Sequence, residues 1–81
     1  MTLTVYLFAG ARDLAGSDAL AVDLPAGATV AQLLAELRQR VPALAGLLSR
    51  SAVAVNHDFA PAQQVLSASD EVAIIPPVSG G

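Results

Sequence analysis

The chain has 81 residues, a length that suits one domain and leaves no room for a second hydrophobic core. It contains no cysteine and one histidine, which excludes a disulfide, a thiolate metal site and a cysteine nucleophile. The net charge is −3, and the strongly basic side chains are four arginines with no lysine. This balance argues against a surface that binds nucleic acids or anionic membranes.

The sequence also lacks the usual signals for insertion into a membrane or for export. No uncharged apolar run approaches the roughly 20 residues of a membrane-spanning helix. The apolar residues 3–11 are not preceded by the basic segment that a signal peptide would carry. We therefore expect a cytoplasmic protein.

Residues 2–9 alternate in hydrophobicity and are rich in β-branched and aromatic types, which predicts a first strand. The two faces of this strand would carry different side chains, with Leu3, Val5 and Leu7 on one and Thr4, Tyr6 and Phe8 on the other. Two aromatic side chains on the face away from the core favour a surface that contacts a partner. For Tyr6, a place in the core is equally compatible with the pattern.

Residues 10–17 contain two glycines and predict a loop, and residues 18–24 alternate again and predict a second strand paired with the first. Residues 25–27 end that strand. Thr29 and Gln32 have the spacing of a capping box, which begins a helix. The apolar residues of this helix recur along one face: Val30, Leu33, Leu34, Leu37 and Val41.

Pro42 disfavours helical backbone in the residue before it, so the helix should stop there. Residues 42–50 predict a connector with a short helical turn. Residues 51–56 and 71–75 predict two further strands, and a minor strand is possible near Phe59. Between these strands, Asn56-His57-Asp58 has the composition of a turn, and the expected core contacts of the irregular segment are Val65 and Leu66.

The predicted order is therefore β-β-α-β-β, in which one apolar helix face covers one face of a sheet. This pattern predicts an α+β roll with a mixed sheet of four to five strands and one main helix. We expect residues 1–75 to form the domain and residues 76–81 to form a flexible C-terminal tail, because Pro76 and Pro77 cannot donate to a β-ladder.

Two segments carry a resemblance to a known family. Residues 5–14 have the sequence VYLFAGARDL, and residues 70–81 have the sequence DEVAIIPPVSGG. Both resemble the corresponding segments of the small subunits of molybdopterin synthase, which are sulfur carriers with the ubiquitin-like β-grasp fold. A terminal Gly-Gly is weak evidence alone, but the twelve-residue match is specific.

The resemblance implies that the carboxylate of Gly81 is adenylated by an ATP-dependent activating enzyme, so that AMP is attached only transiently and no cofactor stays bound. A sulfur-donor enzyme would then convert the adenylate to a thiocarboxylate. The tail would enter the large subunit of the synthase and supply sulfur for the dithiolene of molybdopterin. The chain would be a non-catalytic subunit of a heterotetramer, with no metal.

The resemblance also assigns expected roles to individual residues. Gly81 would be the reactive terminus, and Gly80 would let the tail pass through a narrow channel because it has no Cβ. The expected partner interface comprises Phe8, Arg12, Ile75, Pro76, Pro77 and Val78. Family members often have an aromatic residue where this chain has Ile75, so the contact there is expected to differ in shape.

Three other functions are compatible with the sequence. Carriers that deliver sulfur for thiazole or cysteine synthesis also end in Gly-Gly, although the residues before the dipeptide favour the molybdopterin family. A ubiquitin-like modifier would instead be joined to other proteins through Gly81. A plain interaction module with an inert C-terminus is the remaining alternative.

Overall fold

The computed structural model describes residues 1–77, which form a five-stranded sheet covered on one face by helices. The bounds of the elements, in chain order, are β1 Thr2–Leu7, α1 Ala9–Ala15, β2 Ala19–Asp23, α2 Val30–Arg40, a 3₁₀ turn Pro42–Leu44, α3 Ala45–Leu48, β3 Ala52–Val55, β4 Asp58–Phe59 and β5 Val72–Ile75. None of the helices within these 77 residues is long and apolar enough to cross a bilayer.

The strands lie in the order β2-β1-β5-β3-β4. β1 and β5 are parallel, and the other neighbouring pairs are antiparallel. The sheet is therefore mixed, as predicted, and β5 lies at its centre between β1 and β3. The predicted fold class is confirmed: this is a β-grasp roll in which α2 is the main helix.

The alternation in β1 separates the core from an open sheet face, as the sequence predicts. Leu3, Val5 and Leu7 are at most 1% exposed, whereas Thr4 and Tyr6 face away from the core. The buried face of the sheet packs against α2 and the segments around it to form the hydrophobic core. The strands contribute mainly Val22, Val55, Val72 and Ile74, and the helices and the 3₁₀ turn contribute Val30, Leu33, Leu37, Leu44 and Leu48.

The start of α2 confirms the predicted capping box. The Gln32 N–H donates to Thr29 Oγ1 at 3.3 Å, and the Thr29 N–H donates to Gln32 Oε1 at 2.8 Å. These two bonds satisfy N–H groups that lack partners within the helix. The helix ends at Arg40, two residues before Pro42. Leu34 belongs to the predicted core face but is only half-buried.

Three sequence predictions are wrong in detail. The first strand, predicted over residues 2–9, ends at Leu7, and Ala9 already begins α1. The expected loop over residues 10–17 is largely the helix α1, which ends where Gly16 takes a φ of 73° and its N–H donates to the Arg12 carbonyl. Val65 is 60% exposed instead of buried, while Leu66 is 2% exposed. Backbone bonds hold this segment: the Val30 N–H donates to Gln64 O, and the Leu66 N–H donates to Ala28 O.

The β3–β4 hairpin turns through Asn56 and His57, whose φ angles are 53° and 73°. Two positive φ angles indicate a type I′ turn, for which Asn-Gly is the favoured pair. A Cβ in this region crowds the following carbonyl oxygen. We therefore expect His57→Gly to raise the free energy of unfolding by about 0.5–1 kcal/mol. Urea denaturation would measure the gain, and an equal gain for His57→Ala, which keeps the Cβ, would contradict this explanation.

Candidate functional site

The sheet face away from α2, here called the open face, carries three large apolar side chains that are exposed. Tyr6 is 38% exposed, Phe8 is 52% exposed and Ile75 is 37% exposed. The parallel register pairs Leu7 with Ile74, so the residues that follow them, Phe8 just after β1 and Ile75 at the end of β5, emerge side by side. Solvent-exposed side chains of this size grouped on one face indicate a contact surface.

These side chains border a depression of about 440 Å³, here called the open-face groove. Its lining consists of Tyr6, Phe8, Ala54, His57, Glu71, Ala73 and Ile75. Ala54 and Ala73 are paired across β3 and β5, and their short side chains leave room above the strands. The groove therefore suits an apolar side chain of a partner. That side chain would contact the two alanines and lie between the larger lining residues.

One end of the groove is polar. His57 Nε2 lies 3.1 Å from Glu71 Oε2. The position of Glu71 is fixed through its backbone, because its N–H donates to Asn56 Oδ1 at 2.9 Å and its carbonyl accepts from the Asn56 N–H at 2.8 Å. Asn56 Nδ2 also donates to Asp70 Oδ1 at 2.9 Å. This network holds the polar end of the groove in place while the His57 and Glu71 side chains stay accessible to a partner.

A second, smaller hollow of about 250 Å³ adjoins the groove and shares Tyr6 and Phe8 with it. Arg12, on the last turn of α1, contributes the positive charge of this hollow, and Asp18 contributes a negative one. Within residues 1–77 Arg12 has no ion-pair partner. Its guanidinium is thus available to an acidic group of another molecule.

The structure brings several of the predicted interface residues to one place. Phe8 and Ile75 line the open-face groove, Arg12 lines the hollow beside it, and the half-buried Pro76 and exposed Pro77 follow β5 directly. Val78, Gly80 and Gly81 lie outside the described residues. Contact of any of these residues with a partner stays a prediction.

Four groove residues were not predicted from the sequence as site residues: Ala54, His57, Glu71 and Ala73. For Ala73 a signal existed, since it alternates onto the same face as Ile75. The interpretation of His57 as a turn residue is confirmed by its backbone, and its side chain also lines the groove. Among residues 1–77, no group of three or more His, Cys, Asp or Glu side chains has the arrangement of a metal site.

A β-grasp domain with an apolar open face, and with its C-terminal segment leaving the central strand, has the architecture of the ubiquitin-like carriers and modifiers. Among these proteins, the chain belongs to the ThiS family, whose model matches residues 5–81.

Individual relatives agree with this assignment. The chain is 38% identical over 79 residues to the molybdopterin synthase sulfur carrier subunit of Arabidopsis thaliana, a match that covers 98% of this chain and 82% of the relative. The crystal structure of SAMP1 from Haloferax volcanii has a TM-score of 0.91, 32% identity and full coverage of both chains. A putative molybdopterin converting factor, subunit 1, from Pyrococcus furiosus has a TM-score of 0.88 and 29% identity, covering 96% of this chain and 99% of that one. The predicted family resemblance is confirmed.

Proposed function

We propose that this protein is the sulfur carrier subunit of a molybdopterin synthase, with the carboxylate of Gly81 as the site that holds sulfur. The observation that carries the proposal is the 38% identity, over nearly the whole chain, to a relative with that name. The family match extends through residue 81 and so includes the Gly80-Gly81 segment.

The proposed chemistry takes place in two steps. A carboxylate is a poor electrophile, so an oxygen of the Gly81 carboxylate first attacks the α-phosphorus of ATP and pyrophosphate leaves. Hydrosulfide (HS⁻) released by a donor enzyme then attacks the acyl carbon, and AMP leaves with one former carboxylate oxygen. The product is a thiocarboxylate, which stores sulfur without any cysteine in the carrier. No side chain of this chain takes part in bond making, so the carrier is a non-catalytic subunit.

The domain supports this chemistry by presenting the tail from a firmly held strand. β5 pairs with β1 on one side and with β3 on the other, over four residues in the second case. A tail that continues from such a strand can be drawn into a channel without loosening the sheet. Pro76 and Pro77 stiffen the first part of the tail, which lowers the entropy lost when it is bound.

Recognition by the partners is assigned to the open face. In the proposed assembly, two carriers bind a dimer of large subunits, and the groove next to Phe8 and Ile75 receives apolar side chains of the large subunit. The activating enzyme uses the same face at a different time, because both enzymes need the tail that leaves beside it. Arg12, in the adjoining hollow, is proposed to pair with an acidic side chain of either partner.

The test is to incubate the purified protein with a sulfur-carrier activating enzyme, ATP, a sulfur-donor enzyme and a sulfur source for that enzyme, and then to measure its intact mass. We expect an increase equal to the replacement of one oxygen by sulfur, located at Gly81 by fragmentation. The control reaction omits ATP and should show no change. An unchanged mass in the complete reaction, or sulfur on another residue, would refute the carrier role.

A second candidate function, a ubiquitin-like protein modifier, is favoured by the full-length similarity to SAMP1, whose name stands for small archaeal modifier protein 1. In that case Gly81 would be joined to amino groups of other proteins by an amide bond. The chain has no lysine, so conjugates would not extend through this protein's own side chains. Tagged protein expressed in its native host distinguishes the two functions, because conjugates that survive denaturation and reducing agents are expected only of a modifier.

A further inference from the structure

The outer edge of β2 is the longest sheet edge that residues 1–77 leave without a neighbouring strand, because β2 is the first strand in the sheet order. The opposite edge strand, β4, has only two residues. An unpaired edge presents N–H and C=O groups that can pair with a strand of another molecule.

The hydrogen-bond pattern identifies the groups that point outward. The Leu24 N–H donates to Met1 O at 2.8 Å, and the Leu7 N–H donates to Asp18 O at 2.9 Å. Bonded and non-bonded pairs alternate along an antiparallel ladder. The intervening pairs that include Ala19, Ala21 and Asp23 are therefore non-bonded, and the backbone groups of these three residues point away from β1.

β2 lacks the features that usually protect an edge strand. Its sequence is ALAVD, which contains no lysine, no proline and one charged residue at its end. The two alanines have small side chains that would let another strand approach closely. On its own sequence, β2 would be prone to pairing with a second copy of this chain.

Two side chains from neighbouring segments bond to some of the outward groups instead. Ser17 Oγ donates to Ala19 O at 2.7 Å, and the Ala19 N–H donates to Ser17 Oγ at 3.3 Å. Arg40 Nη1, from the end of α2, donates to Ala21 O at 3.1 Å. Glu36 orients this arginine, since Glu36 Oε1 accepts from Arg40 Nε at 3.0 Å.

We propose that Ser17 and Arg40 cap the edge of β2 and prevent a second copy of this chain from pairing with it. Their bonds occupy three of the six outward backbone groups of Ala19, Ala21 and Asp23, and the Arg40 side chain lies where an incoming strand would have to pass. The caps also keep Asp18 and Ala19, which line the hollow that contains Arg12, from being covered by a second copy. The inference does not depend on the proposed function.

The test is the oligomeric state of the double variant Ser17→Ala/Arg40→Ala, measured by light scattering during size-exclusion chromatography. At high micromolar concentration we expect the wild type to have the mass of a monomer and the double variant to shift towards twice that mass. The matched control is Arg38→Ala/Ser69→Ala. It removes the same two types of side chain from α2 and from the turn before β5, and it should stay monomeric.

A third substitution locates the contact. Adding Ala21→Pro to the double variant removes an outward N–H without removing a bond to β1, and the proline ring obstructs an incoming strand. We expect this triple variant to return to a monomer. If the double variant does not fold, Arg40→Ala alone should still associate, though more weakly. A monomeric double variant, a dimer that persists after Ala21→Pro, or a wild type that already pairs through β2 would overturn the proposal.

Discussion

Deleting Gly81 should reduce the rate of sulfur loading by at least about 100-fold, since a misplacement of only 1 Å at a reacting centre can have an effect of that size. The deletion leaves a carboxylate, but on Gly80, and withdraws it by about 3.3 Å along an extended tail. The attacking carboxylate oxygen would then fall short of the α-phosphorus of ATP in the activating enzyme. Initial rates of ATP–pyrophosphate exchange and of thiocarboxylate formation would measure the effect.

Two companion variants make this result specific. Adding one residue after Gly81 should be as damaging as the deletion, because it moves the carboxylate too far. Ser79→Ala keeps the length of the tail and should load at nearly the wild-type rate. All three should melt like the wild type, because none of them changes the hydrophobic core within residues 1–77. Loading of the truncated chain at the wild-type rate would place the reactive carboxylate elsewhere and would refute the assignment of Gly81.

The elements that the sequence predicts correctly are those whose signal lies within a short stretch of chain, either as a regular period of burial or as a capping pair. The alternation in β1 correctly predicts the burial of Leu3, Val5 and Leu7. Thr29 and Gln32 correctly predict the start of α2, because their capping bonds involve only residues three apart. In each case the information is local, so the interpretation does not depend on knowing the rest of the fold.

The sequence predicts a loop in place of the helix α1 because Gly10 and Gly16 are typical of loops. Gly16 does end the helix with a positive φ, but Gly10 lies within it. Tertiary packing compensates for the low helix propensity of Gly10. Ala11 is completely buried, so this short helix is held against the core. A seven-residue helix of this kind takes its stability from packing, which is not visible in the local sequence.

The groove could be predicted only in part, for a related reason. Its apolar wall follows from the alternation in β1 and β5. Its alanine floor depends on the pairing of Ala54 with Ala73, which are distant in sequence and belong to different strands. The polar end depends on the contact of His57 with Glu71, again between residues brought together by the fold. The spacing of residues within one segment cannot predict either of these contacts, because the two partners lie in different segments.

Leu7→Ala and Phe8→Ala should affect different properties of the protein, although the two residues are adjacent. Leu7 is 1% exposed and lies in the core, so its truncation should lower the free energy of unfolding by about 2–5 kcal/mol. Phe8 is 52% exposed and lines the open-face groove, so its truncation should lower stability far less. If the groove receives the large subunit as proposed, Phe8→Ala should weaken that binding by about 10- to 30-fold, the effect of an interface residue worth about 1.5–2 kcal/mol.

The chain offers a matched control in its second phenylalanine. Phe59, in β4, is 76% exposed and does not line the groove. Phe59→Ala removes the same side chain from the surface and should change neither stability nor affinity appreciably. Urea denaturation and calorimetric titration with the purified large subunit would measure the two quantities for all three variants. Partial unfolding would lower the apparent affinity, and it would do so most for Leu7→Ala, the least stable variant. The affinities must therefore be compared at a temperature where every variant is folded. If Phe8→Ala lowers the free energy of unfolding as much as Leu7→Ala while the affinity holds, Phe8 belongs to the core and the open face is not the binding surface.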